Sequence, residues 1–180
     1  MGLDIDAWSH LTPYTGPLCA NTDECNLLSR ISASIARADA GLPPVEHESH
    51  IRLHTDFKTA DEIRKEFGLE PGICYQGAEH YEFKLGYDEY SEWLAWLGGW
   101  NPVAFELLDG IQEDDNTVGP RVAKELLEAL NPARFEATFG DAEIEFGEDE
   151  NGVYPDAGST YRDFVKACGL AAHGGLMAVR

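Results

Sequence analysis

The stretch that decides the fold lies in the middle of the chain and reads Tyr87-Asp88-Glu89-Tyr90-Ser91-Glu92-Trp93-Leu94-Ala95-Trp96-Leu97-Gly98-Gly99-Trp100. Its apolar side chains recur at positions i, i+3, i+4 and i+7, which is the spacing of one helix face. These are Tyr90, Trp93, Leu94 and Leu97, while two further tryptophans extend the apolar surface around the helix. The pattern therefore predicts a helix that is largely buried.

Segments on both sides of this helix are typical of strands, and those at 2–8 and 142–146 alternate apolar and polar residues as half-buried strands do. We expect strands near residues 2–8, 50–54, 142–146 and 175–180, with five to six helices indicated by capping signals and helical spacing. Residues 69–80 are predicted to be turns, and the acidic, Gly- and Pro-rich stretch 147–158 a mobile loop. Together these elements predict one α+β domain over residues 1–180, with a small, mainly antiparallel sheet packed with the helices.

The charge of the chain is strongly one-sided. Its 180 residues include 33 Asp and Glu against 13 Lys and Arg, so the formal net charge at pH 7 is -20. Such a surface repels phosphate groups, which argues against direct binding to nucleic acid. Because 43% of the residues are hydrophobic, the chain still has enough apolar material for a folded core.

Two stretches concentrate the acids and are the candidate partner-binding residues. The first is predicted to be a loop between two short helices, and the second combines a predicted strand face with the start of the acidic loop. The second stretch lacks the residue pattern of a calcium-binding EF-hand, and a hard-cation site is the alternative to partner binding for the first. The candidates are Glu113, Asp114, Asp115 and Asn116 in the first stretch, and Asp141, Glu143 and Glu145 in the second.

Cysteine and histidine residues form the other candidate group, as ligands for zinc or another divalent cation. They are Cys19, Cys25, His50, His54, Cys74 and His80. Paired ligands in structural zinc sites are usually two to four residues apart, whereas both cysteine pairings here have five intervening residues. An exposed polar strand face explains the histidines equally well, and no cofactor is predicted.

Motifs for nucleophilic catalysis and phosphate binding are absent from the sequence. Asp4 and Asp6 alternate with apolar residues and are interpreted as the polar face of a strand, and Cys168 as a small buried hydrophobic residue. The longest nearly apolar run is Trp93–Trp100, too short to cross a bilayer, so no membrane partner is expected. With no signal-peptide pattern, we expect a cytoplasmic protein with free thiols.

Three stretches resemble a group of uncharacterised phage and prophage proteins. These are the opening Met1-Gly2-Leu3-Asp4-Ile5, the Tyr- and Trp-rich helix from Gly86, and residues 104–127 with their Val118-Gly119-Pro120 helix start. In that group an Asp-Cys-Glu-Gly loop stands where this chain has Glu113-Asp114-Asp115-Asn116. The resemblance implies a bacterial host cell as the setting and supplies no catalytic residue.

The leading hypothesis is a non-enzymatic phage or prophage accessory protein that binds a basic site on a host protein through its acidic surface. Acidic helix faces such as Asp88, Glu89 and Glu92 could imitate a row of phosphates, as a nucleic-acid mimic or an antagonist of host defence would. The alternatives are a metal-dependent enzyme that uses Cys and His or loop carboxylates, and a minor virion or assembly component.

Overall fold

A computed structural model describes residues 2–13, 51–52, 60–70, 74–114, 117–146, 148–149, 152–153 and 156–179. The described helices are α1 (Ala60–Phe67), α2 (Tyr87–Trp100), α3 (Pro102–Asp114), α4 (Pro120–Leu130), α5 (Pro132–Thr138) and α6 (Ala157–Ala172). The described strands are β1 (Gly2–Ser9), β2 (Thr12–Pro13), β3 (Ile51–Arg52), β4 (Cys74–Gln76), β5 (Glu79–Gly86), β6 (Thr117–Val118), β7 (Glu148–Asp149), β8 (Gly152–Val153) and β9 (Leu176–Val179).

The main sheet has four strands in the order β5-β1-β9-β6, and every neighbouring pair is antiparallel. Two smaller sheets, β2-β4-β3 and β7-β8, complete the described strands. A small antiparallel sheet packed with helices confirms the predicted α+β class.

One face of the main sheet and the helices form the larger core. Strand residues Ile5 and Met177 are fully buried there with helix residues Trp93 and Phe164. The Trp93 and Phe164 rings stack at 4.5 Å between centroids, and the Trp93 indole N–H donates to the Ala157 carbonyl at 3.3 Å. The predicted apolar face of α2, made by Tyr90, Trp93, Leu94 and Leu97, is therefore confirmed as buried. The helix as a whole is less buried than predicted, because its other faces are largely exposed.

The opposite face of the sheet carries a second, smaller core. Trp8 and Leu176 pack there with Ile63 and Phe67 of α1 and with Tyr75 of β4. At this point the start of β9 passes close to β1: a Cβ built on Gly175 would lie 1.7 Å from the Trp8 carbonyl oxygen. Only glycine fits such an approach, so this residue allows the two strands to pair.

The predicted strand at 142–146 is wrong. Residues 142–146 form neither a helix nor a strand, and they pair with no strand in the described part of the chain. The Ile144 N–H instead donates to Asp156 Oδ1 at 2.5 Å, and the Ile144 carbonyl accepts from the Ala157 N–H at 2.9 Å. The start of α6 thus satisfies the backbone groups that a partner strand would otherwise satisfy.

Other boundaries are confirmed or corrected. The strand predicted at 2–8 corresponds to β1, and the one at 175–180 to β9. From the stretch 50–54 only residues 51–52 are described, as β3 of the small sheet. Residues 74–76 and 79–86 form strands, although turns were predicted up to residue 80. The loop predicted to hold Glu113 and Asp114 is corrected at both residues, because α3 continues to Asp114; β6 follows at 117–118.

Candidate functional site

A polar face of the β1 and β5 pair carries the first candidate site. Strand β5 alternates the polar residues His80, Glu82 and Lys84 with apolar residues that face the larger core. In the register of the pair, Asp6 lies opposite Glu82, and Trp8 lies opposite His80. Since side chains alternate between the faces of a strand, all of these polar groups lie on one side of the sheet.

Three of these side chains converge and form what we call the D-H-E cluster: Asp6, His80 and Glu82. His80 Nε2 lies 3.0 Å from Asp6 Oδ1. One ligand atom from each of the three residues lies within 4.8 Å of those of the other two. The side chains of Asp6 and His80 are 15% and 33% exposed, so the cluster is open to solvent mainly on the β5 side.

Neighbouring residues hold the D-H-E cluster on both sides. The Trp8 ring stacks on the His80 imidazole, with centroids 5.0 Å apart and an interplanar angle of 18°. Lys84 Nζ lies 3.1 Å from Asp4 Oδ1 and 3.4 Å from Glu82 Oε1. Hydrogen bonds to these two carboxylates raise the pKa of Lys84, so the lysine stays charged.

The second candidate site is the acidic helix pair, which we define as α2 and α3. Residues 85–120 include no Lys, Arg or His. The two helices pack antiparallel, so that Gly98 meets the Phe105 ring and the charge of Asp109 acts on Tyr90. Burial, followed by the Asp109 charge, raises the pKa of Tyr90. The acids of this stretch are Asp88, Glu89, Glu92, Glu106, Asp109, Glu113, Asp114 and Asp115.

The acidic helix pair also exposes large apolar side chains. Tyr87 at the start of α2 is 49% exposed, and Val103 at the start of α3 is 60% exposed. The acids Glu92, Glu106 and Asp109 are exposed as well. The acidic helix pair therefore presents both acidic and apolar side chains to solvent.

The second acidic stretch has a basic neighbour. Asp141, Glu143 and Glu145 are all exposed, as expected. Arg162 of α6 pairs with Glu136 Oε1 at 3.0 Å and donates to the Gly140 carbonyl just before this stretch. The hydrogen bond to Glu136, together with nearby Asp156 and Asp141, raises the pKa of Arg162. Its guanidinium therefore offsets part of the negative charge there.

Of the first acidic stretch, Glu113 and Asp114 belong to the last turn of α3, and 115–116 lie outside the described residues. Among the proposed metal ligands, the Cys74 backbone lies in β4 and His80 belongs to the D-H-E cluster. The remaining four, Cys19, Cys25, His50 and His54, lie outside the described residues.

Sequence reasoning missed that Asp6 and Glu82 are the neighbours of His80. The signal that could have found them is the alternation His80-Tyr81-Glu82-Phe83-Lys84-Leu85, which has the period of a strand. With β5 recognised, an antiparallel pair with β1 would place two rows of polar residues side by side.

The interpretation of Cys168 as a core residue is confirmed. Its side chain is fully buried, and burial raises the pKa of the thiol to about 12. A neutral thiol without solvent access is a poor nucleophile, so the residue packs rather than reacts.

No helix in the described ranges has both the length and the apolar character needed to cross a membrane. Comparison of the chain with protein-family models, with curated proteins and with solved structures finds no match.

Proposed function

We propose that this protein is a non-enzymatic binding protein whose acidic helix pair engages a basic site on a host protein. The observation that carries the proposal is the composition of that pair. Its residues extend from Tyr87 to Asp114 with no basic side chain, while acids and two large apolar residues are exposed on it.

Local helix stability does not account for these acids. Asp88 and Glu92 are four residues apart on α2, and Glu106 and Asp109 are three apart on α3. Like charges at these spacings cost about 0.2–0.5 kcal/mol per pair. On α4, by contrast, Arg121 pairs with Glu125 at 2.7 Å. The acidic helix pair therefore retains repulsive pairs where opposite charges would stabilise it.

Only part of this charge has a structural use. Asp88 and Glu89 lie in the first turn of α2, where the helix dipole favours acids. The Glu89 carboxylate accepts from the Gly86 N–H at 2.9 Å and caps the helix. Glu92, Glu106 and Asp109 lie beyond the first turn, and these three best fit a role in binding.

The partner proposed is a protein with a cationic, nucleic-acid-binding surface in the cytoplasm of a bacterial host. A strongly acidic surface speeds association with such a surface and disfavours other partners. The resemblance to phage and prophage proteins supports a host factor as the partner. Occupation of its basic site would make the protein a nucleic-acid mimic or an antagonist of host defence.

The test is capture of partners from bacterial lysate by the purified protein. One variant carries Glu92→Gln, Glu106→Gln and Asp109→Asn. A matched control carries Asp141→Asn, Glu143→Gln and Glu145→Gln, which changes the net charge by the same amount. We expect wild type and control to retain a basic partner at low salt, and the helix-pair variant to lose it.

Salt provides the second readout, because screening shortens from about 10 Å at 0.1 M to about 3 Å at 1 M ionic strength. Capture should weaken sharply over this range. Equal loss of capture in both variants would mean that the partner responds to net charge alone. Loss of capture only in the control would place the binding surface at residues 141–145 instead. Absence of any basic partner would contradict the proposal.

A second candidate function is a metal-dependent enzyme, and the D-H-E cluster is the observation that favours it. A chemical step would need a substrate beside this cluster as well as a metal ion. The third possibility, a minor virion component, stays a prediction that examination of purified particles would test.

A further inference from the structure

We propose that Asp6, His80 and Glu82 bind a divalent first-row transition-metal ion on the polar face of β1 and β5. This metal site is independent of the acidic helix pair, since it lies on a different part of the chain and uses different residues. It goes beyond the sequence candidates because Asp6 and Glu82 supply oxygen ligands beside the single histidine.

The backbone already places the ligands. Asp6 and Glu82 are directly opposite in the antiparallel register, so their Cβ atoms lie about 4.5–5.5 Å apart. His80 is two residues before Glu82 on the same face of β5. Nothing larger than side-chain rotation is needed to bring the three groups to one ion.

The distances suit a small cation. Zinc–nitrogen and zinc–oxygen bonds of about 2.1 Å place tetrahedral ligand atoms about 3.4 Å from one another. In the D-H-E cluster His80 Nε2 and Asp6 Oδ1 are 3.0 Å apart, and all three ligand atoms lie within 4.8 Å of one another. A bound ion would open the distance between His80 Nε2 and Asp6 Oδ1 slightly.

The ligand types set the class of metal. One imidazole with two carboxylates is a mixed nitrogen and oxygen set, which suits Zn²⁺, Mn²⁺ or Fe²⁺ better than the all-oxygen preference of Ca²⁺ and Mg²⁺. Three protein ligands leave a coordination position for water or another ligand. Partial exposure of Glu82, at 47%, leaves a route for the ion to enter.

The residues around the D-H-E cluster restrict the histidine ring and set the charge of this face. Trp8 stacks on His80, with ring centroids 5.0 Å apart, and restricts the orientation of the imidazole. Asp4, Asp6 and Glu82 provide three negative charges on this face against the one positive charge of Lys84. The excess negative charge favours a dication, whereas Lys84 opposes it through like-charge repulsion.

The experiment is a titration of the purified protein with Zn²⁺ and with Mn²⁺ by calorimetry. Asp6→Asn replaces an anionic ligand by a neutral amide and His80→Asn removes the imidazole, and we expect each to weaken binding about tenfold or more. Lys84→Met should tighten binding several-fold, because it removes the competing charge. His173→Asn is the matched control and should bind as wild type does. Circular dichroism on every variant checks that it is folded.

A location-specific readout separates this site from other thiol and imidazole groups of the chain. Mn²⁺ is paramagnetic, so in ¹⁵N-labelled protein it should broaden the amide signals of β1 and β5 around Asp6 and Glu82. Broadening centred elsewhere, or wild-type affinity in Asp6→Asn and His80→Asn, would overturn the proposal. Partner capture by His80→Asn should equal that of wild type, so a failure of either proposal leaves the other testable.

Discussion

Substitution of Asp156 by alanine should destabilise the protein more than the loss of a helix cap alone. The carboxylate accepts from three backbone N–H groups: Gly158 at 3.2 Å and Ser159 at 3.0 Å in the first turn of α6, and Ile144 at 2.5 Å. One side chain therefore caps the helix and also fastens the segment 142–146 to it.

The two contributions can be summed. Loss of an aspartate cap costs about 1 kcal/mol, with a range of roughly 0.5–2. A partly buried N–H left without an acceptor costs about 1–3 kcal/mol. We therefore expect Asp156→Ala to lower the free energy of unfolding by about 2–4 kcal/mol, which for a chain of this size lowers Tm by roughly 5–15 °C.

Asp156→Ser separates the two contributions. Serine is an equally good cap, but its side chain is shorter, so it should not reach the Ile144 N–H. Urea unfolding should therefore place Asp156→Ser between wild type and Asp156→Ala, about 1 kcal/mol above the latter. Hydrogen exchange should show that both variants lose protection at the Ile144 amide. Equal stability of the two variants, or retained protection at Ile144, would refute this account of Asp156.

Three further predictions concern charge, pH and packing. Glu92→Lys replaces a repulsive pair with Asp88 by an attractive one. Urea unfolding at low salt should therefore show a free energy of unfolding higher by about 0.4–1 kcal/mol, and this gain should shrink in 1 M salt. No gain would mean that the two side chains do not interact. Burial, followed by the 2.5 Å hydrogen bond to Asp163, raises the pKa of Tyr81 to about 12. The phenolate is thus disfavoured in the folded state, so the neutral phenol of Tyr81 stabilises the fold below pH 10, and this stabilisation is lost as the pH rises towards 12. Unfolding curves of Tyr81→Phe measured over this pH range should lack that loss. Gly175→Ala places a Cβ against the Trp8 carbonyl and should lower the free energy of unfolding by about 3 kcal/mol or more, because overpacking costs about 1–3 kcal/mol and backbone strain adds to it. Gly169→Ala, in open space on α6, should raise the free energy of unfolding by about 0.5–1 kcal/mol. Similar Tm values for the two variants would contradict the close approach.

Periodicity predicted the elements whose pattern is strong within one segment. Helix α2 was predictable because its apolar residues repeat at helical spacing, and β1 because its residues alternate. The same alternation at Glu143 and Glu145 predicted a strand that does not form. Alternation reports which side chains are buried, and Phe146 is indeed buried, but it does not report whether a partner strand is present.

The candidate sites show the same division. The acidic character of residues 85–120 is visible in the sequence, as is the absence of bases among them. That Asp109 lies near Tyr90, and that Gly98 meets the Phe105 ring, depends on how α2 and α3 pack.

The sequence by itself determined the net charge of -20, the positions of the strongest helix and strand, and the α+β class. All three follow from composition or from periodicity over a few residues, and none of them depends on contact with a distant segment. The tertiary structure alone decided that His80 meets Asp6 across 74 residues of chain, and that Ile144 pairs with the start of α6 rather than with a strand. Such contacts depend on the register between segments, and register is set by the packing of both sheet faces together.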